Sequence, residues 1–317
     1  MKSLLLPILL FVSIASFSQK EEEVELTNGI CTLKGTLSSP EGGFESTDLV
    51  ILIAGSGPTD RNGNNSQMTN NSLKMLSDVL VNTYGNCVLR YDKRGIEESK
   101  IENFKQEDLS FDDFISDASA WVDKYADNGL YNNIILAGHS QGSLVAISAA
   151  NQNKNVDAVI SLAGPGQPIH SILKKQLAAT LTIEMQGLVN AKLDTLASGQ
   201  MLKETPKMLH SLMHPTIQPF LISWMKYDPA REIAKLKIPV LLVNGTTDIQ
   251  VAVSEMDLLQ ASKPDAVKVK IKNMNHVLKT IKTKDMGLQL ELYGKPDVPL
   301  AKKLPKVISK FLGTVGA

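Results

Sequence analysis

A serine between two glycines is the residue in this chain best suited to covalent chemistry. Gly138, Ser140 and Gly142 form a Gly-x-Ser-x-Gly pattern, which follows an apolar run at 131–137 and precedes a helix-like run at 143–150. A strand, a tight turn and a helix in this order expose a serine hydroxyl above a sheet, and the glycines let strand and helix approach closely. The pattern alone also occurs in structural turns, so the flanking elements carry the prediction that Ser140 is a nucleophile.

A nucleophilic serine needs a base, and the base needs a group that orients it. Asp248 follows the buried-strand pattern of residues 238–243, and His276 follows the alternating pattern of residues 267–271. Serine, acid and histidine in this chain order are typical of enzymes with this kind of turn. All three residues come after predicted strands, where open α/β sheets collect their ligands. We therefore predict a triad of Ser140, Asp248 and His276.

Plainer alternatives exist for these residue types. An aspartate after a strand is often only a turn former or a helix cap, and this is the alternative for Asp248. The other histidines are weaker candidates for the base, since His139 lies inside the serine turn itself. A lone histidine in a helical segment is usually packed or solvated, which applies to His170, His210 and His214. The predicted base follows a strand late in the chain.

The loop at 54–64 follows another strand-like run and is similar to the His-Gly-x oxyanion loop of α/β-hydrolases, with Ala54 in place of the usual histidine. With the serine turn, it makes the chain resemble the serine aminopeptidase and monoacylglycerol-lipase-like branch of that superfamily, from about Asp48 to the C-terminus. The resemblance implies that the backbone N–H groups of Ser56 and Gln141 bind the developing oxyanion. The missing histidine matters little, because such a site is built from backbone groups.

The resemblance also implies the architecture. We expect an α/β fold with a mostly parallel eight-stranded sheet flanked by helices, in one hydrolase domain over 19–317. A helical cap is expected as an insertion at about 166–232. Methionines of this insertion could line an adaptable apolar pocket, or they could simply pack its helices together. They are Met185, Met201, Met208, Met213 and Met225. The Asn-rich loop at 62–71 is the candidate for the other wall of that pocket.

Residues 90–99 resemble the Asp-x-Arg-Gly-x-Gly-x-Ser stretch that shapes a neighbouring loop in such hydrolases. Asp92 and Arg94 are expected to form a structural ion pair or a loop clamp, not to act as catalytic groups. Glu97 stands where the family pattern has its second glycine. If that glycine has a positive φ elsewhere, this loop must differ locally.

The composition of the chain limits the classes of function that it can have. The 317 residues are 43% hydrophobic, which suffices for the core of one catalytic domain with an insertion. The net charge is zero and no basic cluster alternates with aromatic residues, so nucleic acid is not expected as a partner. No His-Glu-x-x-His motif or Cys/His ligand spacing is present, and residues 55–57 lack the rest of a dinucleotide fingerprint. We expect neither a metal nor an organic cofactor.

The first residues have the composition of a signal peptide. Lys2 gives a basic start and residues 4–14 are apolar. Small residues at 16 and 18 suit cleavage before Gln19, so we expect a signal peptide over 1–18 and export to the periplasm or the medium. The apolar run is short for a spanning helix, and no cysteine follows the cleavage site to carry a lipid. No stable membrane anchor is expected after cleavage, with an uncleaved anchor as the alternative.

The two cysteines are not expected to pair. In the usual strand order of this fold, Cys31 and Cys87 begin neighbouring antiparallel strands, so they lie at opposite ends, about 15–20 Å apart at about 3.3 Å per residue. A disulfide needs Cα atoms within about 7 Å. The sequence therefore predicts two free, buried thiols.

The predicted activity is hydrolysis of small-molecule carboxylic esters with short to medium neutral acyl groups. An aminopeptidase or amidase of the same fold would use identical residues, and a carboxylate that holds a substrate's α-amino group would favour it. Glu184 and Glu204 are the candidates in the insertion. A binding protein without catalysis is the third possibility, but it would ordinarily have lost a triad member.

Overall fold

The computed structural model describes residues 19–43, 47–178 and 181–316. The predicted signal peptide at 1–18 lies outside the described residues and stays a prediction. Among the helices that are described, none is both long enough and apolar enough to cross a lipid bilayer.

One sheet holds the strands of the described chain together. The strands are β1 (Gln19–Asn28), β2 (Cys31–Pro40), β3 (Thr47–Ile53), β4 (Cys87–Tyr91), β5 (Tyr131–His139), β6 (Ala158–Leu162), β7 (Val240–Gly245) and β8 (Val267–Ile271). Their order across the sheet is β1-β2-β4-β3-β5-β6-β7-β8. β2 is antiparallel to β1 and β4, whereas the pairs from β4 to β8 are parallel. The predicted α/β fold with a mostly parallel eight-stranded sheet is confirmed.

The central strands contain continuous apolar runs because both faces of the sheet are covered there. β3 shows this, since residues 49–53 are all buried. Successive side chains of a strand point to opposite faces. Val50 and Leu52 therefore join one core, while Ile51 and Ile53 join the other.

Helices form the two outer layers. In chain order they are α1 (Ser72–Tyr84), α2 (Phe111–Ala126), α3 (Gln141–Gln152), α4 (Ile169–Ala178), α5 (Ile183–Ala197), α6 (His210–Met213), α7 (Gln218–Met225), α8 (Pro229–Ile233), α9 (Val253–Ser262), α10 (Met286–Tyr293) and α11 (Lys303–Leu312). α1 and α11 pack together on one face of the sheet. α2 and α3 cover the other face.

Helices α4 to α8 lie between β6 and β7, in the stretch where the sequence predicts an insertion. They share a core with α2, because Phe111 stacks on Trp224 with ring centroids 5.6 Å apart and contacts Phe220 at 6.3 Å. Aromatic pairs at this separation contribute about 0.5–1.5 kcal/mol beyond the area they bury. The insertion is thereby attached to the face of the sheet that carries α2.

The cysteine prediction is confirmed. Cys31 begins β2 and Cys87 begins β4, and these strands run antiparallel. Both thiols are free and buried. Burial raises the pKa of Cys31, and it raises the pKa of Cys87 to about 12. Neither thiol is activated as a nucleophile, since reactivity requires the thiolate.

Candidate active site

Ser140 lies at the junction of β5 and α3, where the backbone turns sharply. Its φ is 53° and its ψ is −118°, a combination that is strained for a residue with a Cβ atom. A Cβ atom at Gly138 would lie 2.0 Å from the carbonyl oxygen of Gly142. A Cβ atom at Gly142 would lie 2.4 Å from the carbonyl oxygen of Ile53. Both glycines are therefore needed for strand and helix to meet at this serine.

The turns after β7 and β8 are joined to each other. Thr247 donates to the carbonyl oxygen of Met274 through its backbone N–H at 3.1 Å and through its hydroxyl at 2.9 Å. A Cβ atom at Gly245 would lie 1.9 Å from the same oxygen. Because the two turns are this close, Asp248 and His276 are brought to one place by the ends of neighbouring parallel strands.

The carboxylate of Asp248 contacts the ring of His276. Nδ1 of His276 donates to Oδ2 of Asp248 at 2.8 Å, and Oδ1 accepts from the backbone N–H groups of Gln250 at 2.8 Å and Val251 at 2.9 Å. Burial disfavours the charged carboxylate, but the His276 ring and these N–H groups outweigh burial and hold the pKa of Asp248 below its ordinary value. Since Nδ1 carries the donated proton, Nε2 of the neutral ring keeps its lone pair.

His139 links the serine turn to the turn that carries His276. A carbonyl oxygen only accepts, so Nε2 of His139 donates to the carbonyl oxygen of His276, at 2.8 Å. The two rings lie 4.9 Å apart. Burial, together with the neighbouring His276 ring, lowers the pKa of His139 to about 4. His139 is therefore neutral near pH 7 and positions the other histidine.

The depressed pKa of His139 predicts a pH-dependent stability. The unfolded chain takes up this proton near pH 6.5 and the folded protein near pH 4, so the free energy of unfolding falls between these values by up to about 3 kcal/mol. We expect His139→Phe and His139→Gln to show a weaker loss of stability than the wild type when urea unfolding at pH 7 is compared with pH 4.5. An identical loss in all three proteins would contradict the assignment.

A small cavity of about 140 Å³ connects the predicted catalytic groups. Ser140 and His276 both line it, together with Gly55 and Ser56 of the loop after β3. The rest of the wall is mainly polar: Thr59, Asn65, Asn70, Ser72, Gln250 and Tyr293. Asp248 does not line this cavity and contacts the ring of His276 at Nδ1. The structure thus brings the three predicted triad residues into one site.

A larger cavity of about 620 Å³ also has Ser140 in its wall. Ser56 and Gln141, the predicted oxyanion residues, lie in its wall beside Ser140. Most of the wall is apolar or aromatic and comes from 104–114 and from the insertion: Phe104, Leu109, Phe114, Ile169, Ile172, Leu173, Leu212, Ile217, Phe220, Leu221 and Trp224. A cavity of this size and composition suits a small organic ligand.

Of the two alternatives for the methionines of the insertion, the pocket lining is wrong, because none of the five lies in the wall of the large cavity. Met213 and Met225 are buried in the core, as in the plainer alternative, while Met201 and Met208 are exposed. The Asn-rich loop walls the small cavity, through Asn65 and Asn70. In the large cavity, Phe104, Gln106 and Leu109 line the wall together with residues of the insertion.

Asp92 and Arg94 are structural, but they do not pair with each other. Asp92 accepts from Arg61 at 2.8 Å, and Arg94 pairs with Asp117. Each of the two therefore clamps its loop to a different element. Glu97 has a φ of 44°, so this non-glycine residue adopts a positive φ and the expected change in the loop is not needed.

Lys93, which the sequence did not single out, is a buried lysine in the wall of the large cavity. Its ammonium group donates to the carbonyl oxygens of Gly55 and Gly57, the second at 2.8 Å. Burial lowers the pKa of Lys93 to about 7. In the sequence, its position just after the strand β4, in a loop expected to be clamped, was the signal that could have indicated a role. Lysine at such a position is usually solvated.

Comparison with known proteins agrees with this arrangement. The family model described as serine aminopeptidase, S33, matches residues 79–278. Esterase EstD of Thermotoga maritima is 27% identical over 274 residues, which are 84% of this chain and 62% of that protein. The chain thus spans about three-fifths of the length of this relative.

Solved structures show the same fold. Est1E from Butyrivibrio proteoclasticus superposes with a TM-score of 0.57 at 16% identity, covering 92% of this chain and 99% of that one. The Pyrococcus furiosus esterase Pf2001 superposes with a TM-score of 0.59 at 18% identity, covering 95% of this chain and 92% of that one. With the sheet, the strained serine and a family match over more than half of its length, this chain belongs to the serine aminopeptidase (S33) family of α/β-hydrolases.

Proposed function

We propose that this protein hydrolyses carboxylic esters, with Ser140 as nucleophile, His276 as base and Asp248 as the group that orients the base. The observation that carries the proposal is the 2.8 Å hydrogen bond from His276 Nδ1 to Asp248 Oδ2 beside a serine held at a φ of 53°. A named esterase among the relatives supports the same reaction class.

The proposed reaction has two halves. Nε2 of His276 takes the hydroxyl proton of Ser140 while Oγ attacks the ester carbonyl, and the N–H groups of Ser56 and Gln141 bind the oxyanion. The carbon–oxygen bond to the alcohol then breaks, and the alcohol takes the proton from His276. In the second half, water gives a proton to His276 and attacks the acyl-enzyme, which releases the acid and returns the proton to Ser140.

The two cavities suggest how an ester would be oriented. His276 lines the small polar cavity and is absent from the wall of the large one. Because His276 must protonate the leaving alcohol, the alcohol belongs in the small cavity. The acyl group then enters the large apolar cavity, where each methylene transferred from water contributes about 0.8 kcal/mol.

The charges around the cavities favour esters over peptides. An aminopeptidase would need an acidic group to hold the α-ammonium of its substrate. Within the described residues, no aspartate or glutamate lines either cavity, and the charged residues of the large one are Lys93 and Arg94. Glu184 and Glu204 are exposed and lie outside both walls. A substrate ammonium would therefore find no carboxylate to pair with in either wall.

A chain-length series tests this proposal. For p-nitrophenyl esters from acetate to laurate, measured below micelle-forming concentrations, kcat/KM is expected to rise by up to about fourfold per methylene until the cavity is full and then to fall. Aminoacyl-p-nitroanilides are expected to be cleaved more slowly than any of these esters. Faster cleavage of the anilides would favour the aminopeptidase, and a steady rise through laurate would contradict the bounded acyl cavity.

A matched pair of variants sharpens this experiment. Leu173→Trp places a larger side chain in the wall of the large cavity, so the preferred acyl chain is expected to become shorter. Leu188→Trp makes the same change at an exposed position of α5 that does not line the cavity. Its chain-length profile is expected to match the wild type. If both variants keep the wild-type optimum, the acyl group does not bind in this cavity.

A further inference from the structure

Lys93 is a buried basic residue whose side chain pairs with no carboxylate. Its side chain is 3% exposed, and its ammonium group contacts the carbonyl oxygens of Gly55 and Gly57. The other buried cations near the site differ in this respect, since Arg61 pairs with Asp92 and Arg94 pairs with Asp117. Among the described residues, no acidic group lies within ion-pair distance of Lys93; its polar contacts are the two carbonyl oxygens.

Such an arrangement is unfavourable for folding. Removing an ammonium group from water is costly, and two carbonyl oxygens and the face of Phe114, 5.4 Å away, compensate for it only in part. The depression of the Lys93 pKa to about 7 has burial as its cause. A methionine of similar length would fill the same space at a lower cost. The ammonium group therefore calls for a functional explanation.

The contacts of Lys93 fix the direction of one backbone N–H group. Across a trans peptide bond the C=O of one residue and the N–H of the next point in opposite directions. With the Gly55 oxygen held by Lys93, the N–H of Ser56 points away from Lys93. Gly55 also lies against the serine turn, because a Cβ atom there would be 3.3 Å from Cβ of Ser140 and 3.2 Å from Nδ1 of His139.

We propose that Lys93 is a positioning residue for the oxyanion hole: it holds the loop from Gly55 to Gly57 so that the N–H of Ser56 donates to the tetrahedral oxyanion. In its protonated form, its charge in a poorly solvated wall also favours the negative charge that develops there. This role rests on the proposed function, since it acts on the reaction of Ser140.

The first test is kinetic. Lys93→Met keeps the length of the side chain and removes the donors. With p-nitrophenyl butyrate, kcat is expected to fall about 100-fold, as for the loss of one oxyanion donor, while KM changes by less than about threefold. The free energy of unfolding is expected to stay the same or to rise, because the buried charge is gone. An unchanged kcat in a folded variant would overturn the inference.

Two inhibitors separate positioning from a general effect on the cavity. An alkylboronic acid forms a tetrahedral anion on a nucleophilic serine, whereas an alkyl ether of equal chain length offers only apolar contact. Lys93→Met is expected to lower the affinity for the boronic acid by about the same factor as kcat and to leave the ether unaffected. Equal weakening of both inhibitors would show a merely structural role and contradict the proposal.

Chemical rescue and a control variant test whether the ammonium group itself is required. Aminoethylation of a Lys93→Cys variant restores an ammonium group at nearly the same length, and kcat is expected to recover. The introduced thiol is reachable because position 93 lines the large cavity, whereas the native thiols lie outside both cavity walls and burial raises their pKa, so they react slowly. Lys263→Met removes another buried lysine, paired with Asp265 at 2.5 Å and outside both cavity walls. It is expected to lower stability and to leave kcat unchanged.

Failure of this inference and failure of the proposed function give different results. If the wild type shows no esterase activity that depends on Ser140, the proposed function is wrong and the inference fails with it. If the wild type is an active serine esterase and Lys93→Met retains its full kcat, the inference alone is wrong. Rescue by aminoethylation without recovery of boronic acid affinity would also contradict it.

Discussion

Ser140→Ala is expected to lower kcat for p-nitrophenyl butyrate by about a thousandfold or more and to leave the fold intact. The variant loses the oxygen atom that forms the acyl-enzyme, while the oxyanion donors and the cavities still bind substrate. The backbone strain of the turn is expected to stay the same, because alanine also carries a Cβ atom and has to adopt the same φ of 53°. Steady-state kinetics and thermal unfolding provide the two readouts.

A second serine of the same helix serves as the control. Ser148 is buried in α3, and among the described residues its hydroxyl has no hydrogen-bond partner. Ser148→Ala therefore removes a buried polar group without breaking a contact, and activity is expected to stay at the wild-type level. A Ser140→Ala protein that keeps a tenth of the wild-type kcat would defeat the assignment of the nucleophile.

Asp248→Asn is expected to lower kcat by about a thousandfold to ten-thousandfold with little change in structure. The amide oxygen can still accept from the N–H groups of Gln250 and Val251. The amide nitrogen, however, donates to Nδ1 of His276, which moves the ring proton to Nε2. Nε2 then cannot accept the proton of Ser140, so the nucleophile is not activated.

An aspartate with a purely structural contact controls for this change. Asp228 accepts from the backbone N–H of Ala230 at 3.0 Å at the start of α8. Asparagine caps helices about as well as aspartate, so Asp228→Asn is expected to leave kcat unchanged. If Asp248→Asn were as active as this control, the carboxylate of Asp248 would have no part in catalysis.

The parts of the site that follow strand ends could be predicted from the sequence. Hydrophobic periodicity locates the strands, and parallel strands in one sheet deliver their following turns to one edge. This rule predicts the positions of Ser140, Asp248 and His276, and the structure brings the three residues together. The free cysteines follow from the same logic, because strand direction decides which residues can meet.

Contacts between distant segments could not be predicted in this way. Asp92 and Arg94 are two residues apart, but their partners Arg61 and Asp117 come from other parts of the chain. No local spacing encodes such pairing. Lys93 shows the same limit, because its burial depends on the loop at 55–57 folding over it.

The residues that line the large cavity could not be predicted from the sequence either. Methionine is compatible with a pocket wall and with a packed core, so its presence does not distinguish the two. Met213 and Met225 are buried in the core. Two of the aromatic residues that line the cavity, Phe114 and Trp224, belong to α2 and α7, which meet only in the folded protein.

Trapping the acyl-enzyme identifies the nucleophile directly. Wild-type protein mixed with excess p-nitrophenyl butyrate and quenched in acid within the first turnovers is digested and analysed by peptide mass spectrometry. The account predicts a butyryl group on Ser140, none in Ser140→Ala, and little in Asp248→Asn at the same quench time. Turnover without acylation of Ser140, or a butyryl group on a different residue that forms at the rate of turnover, would contradict it.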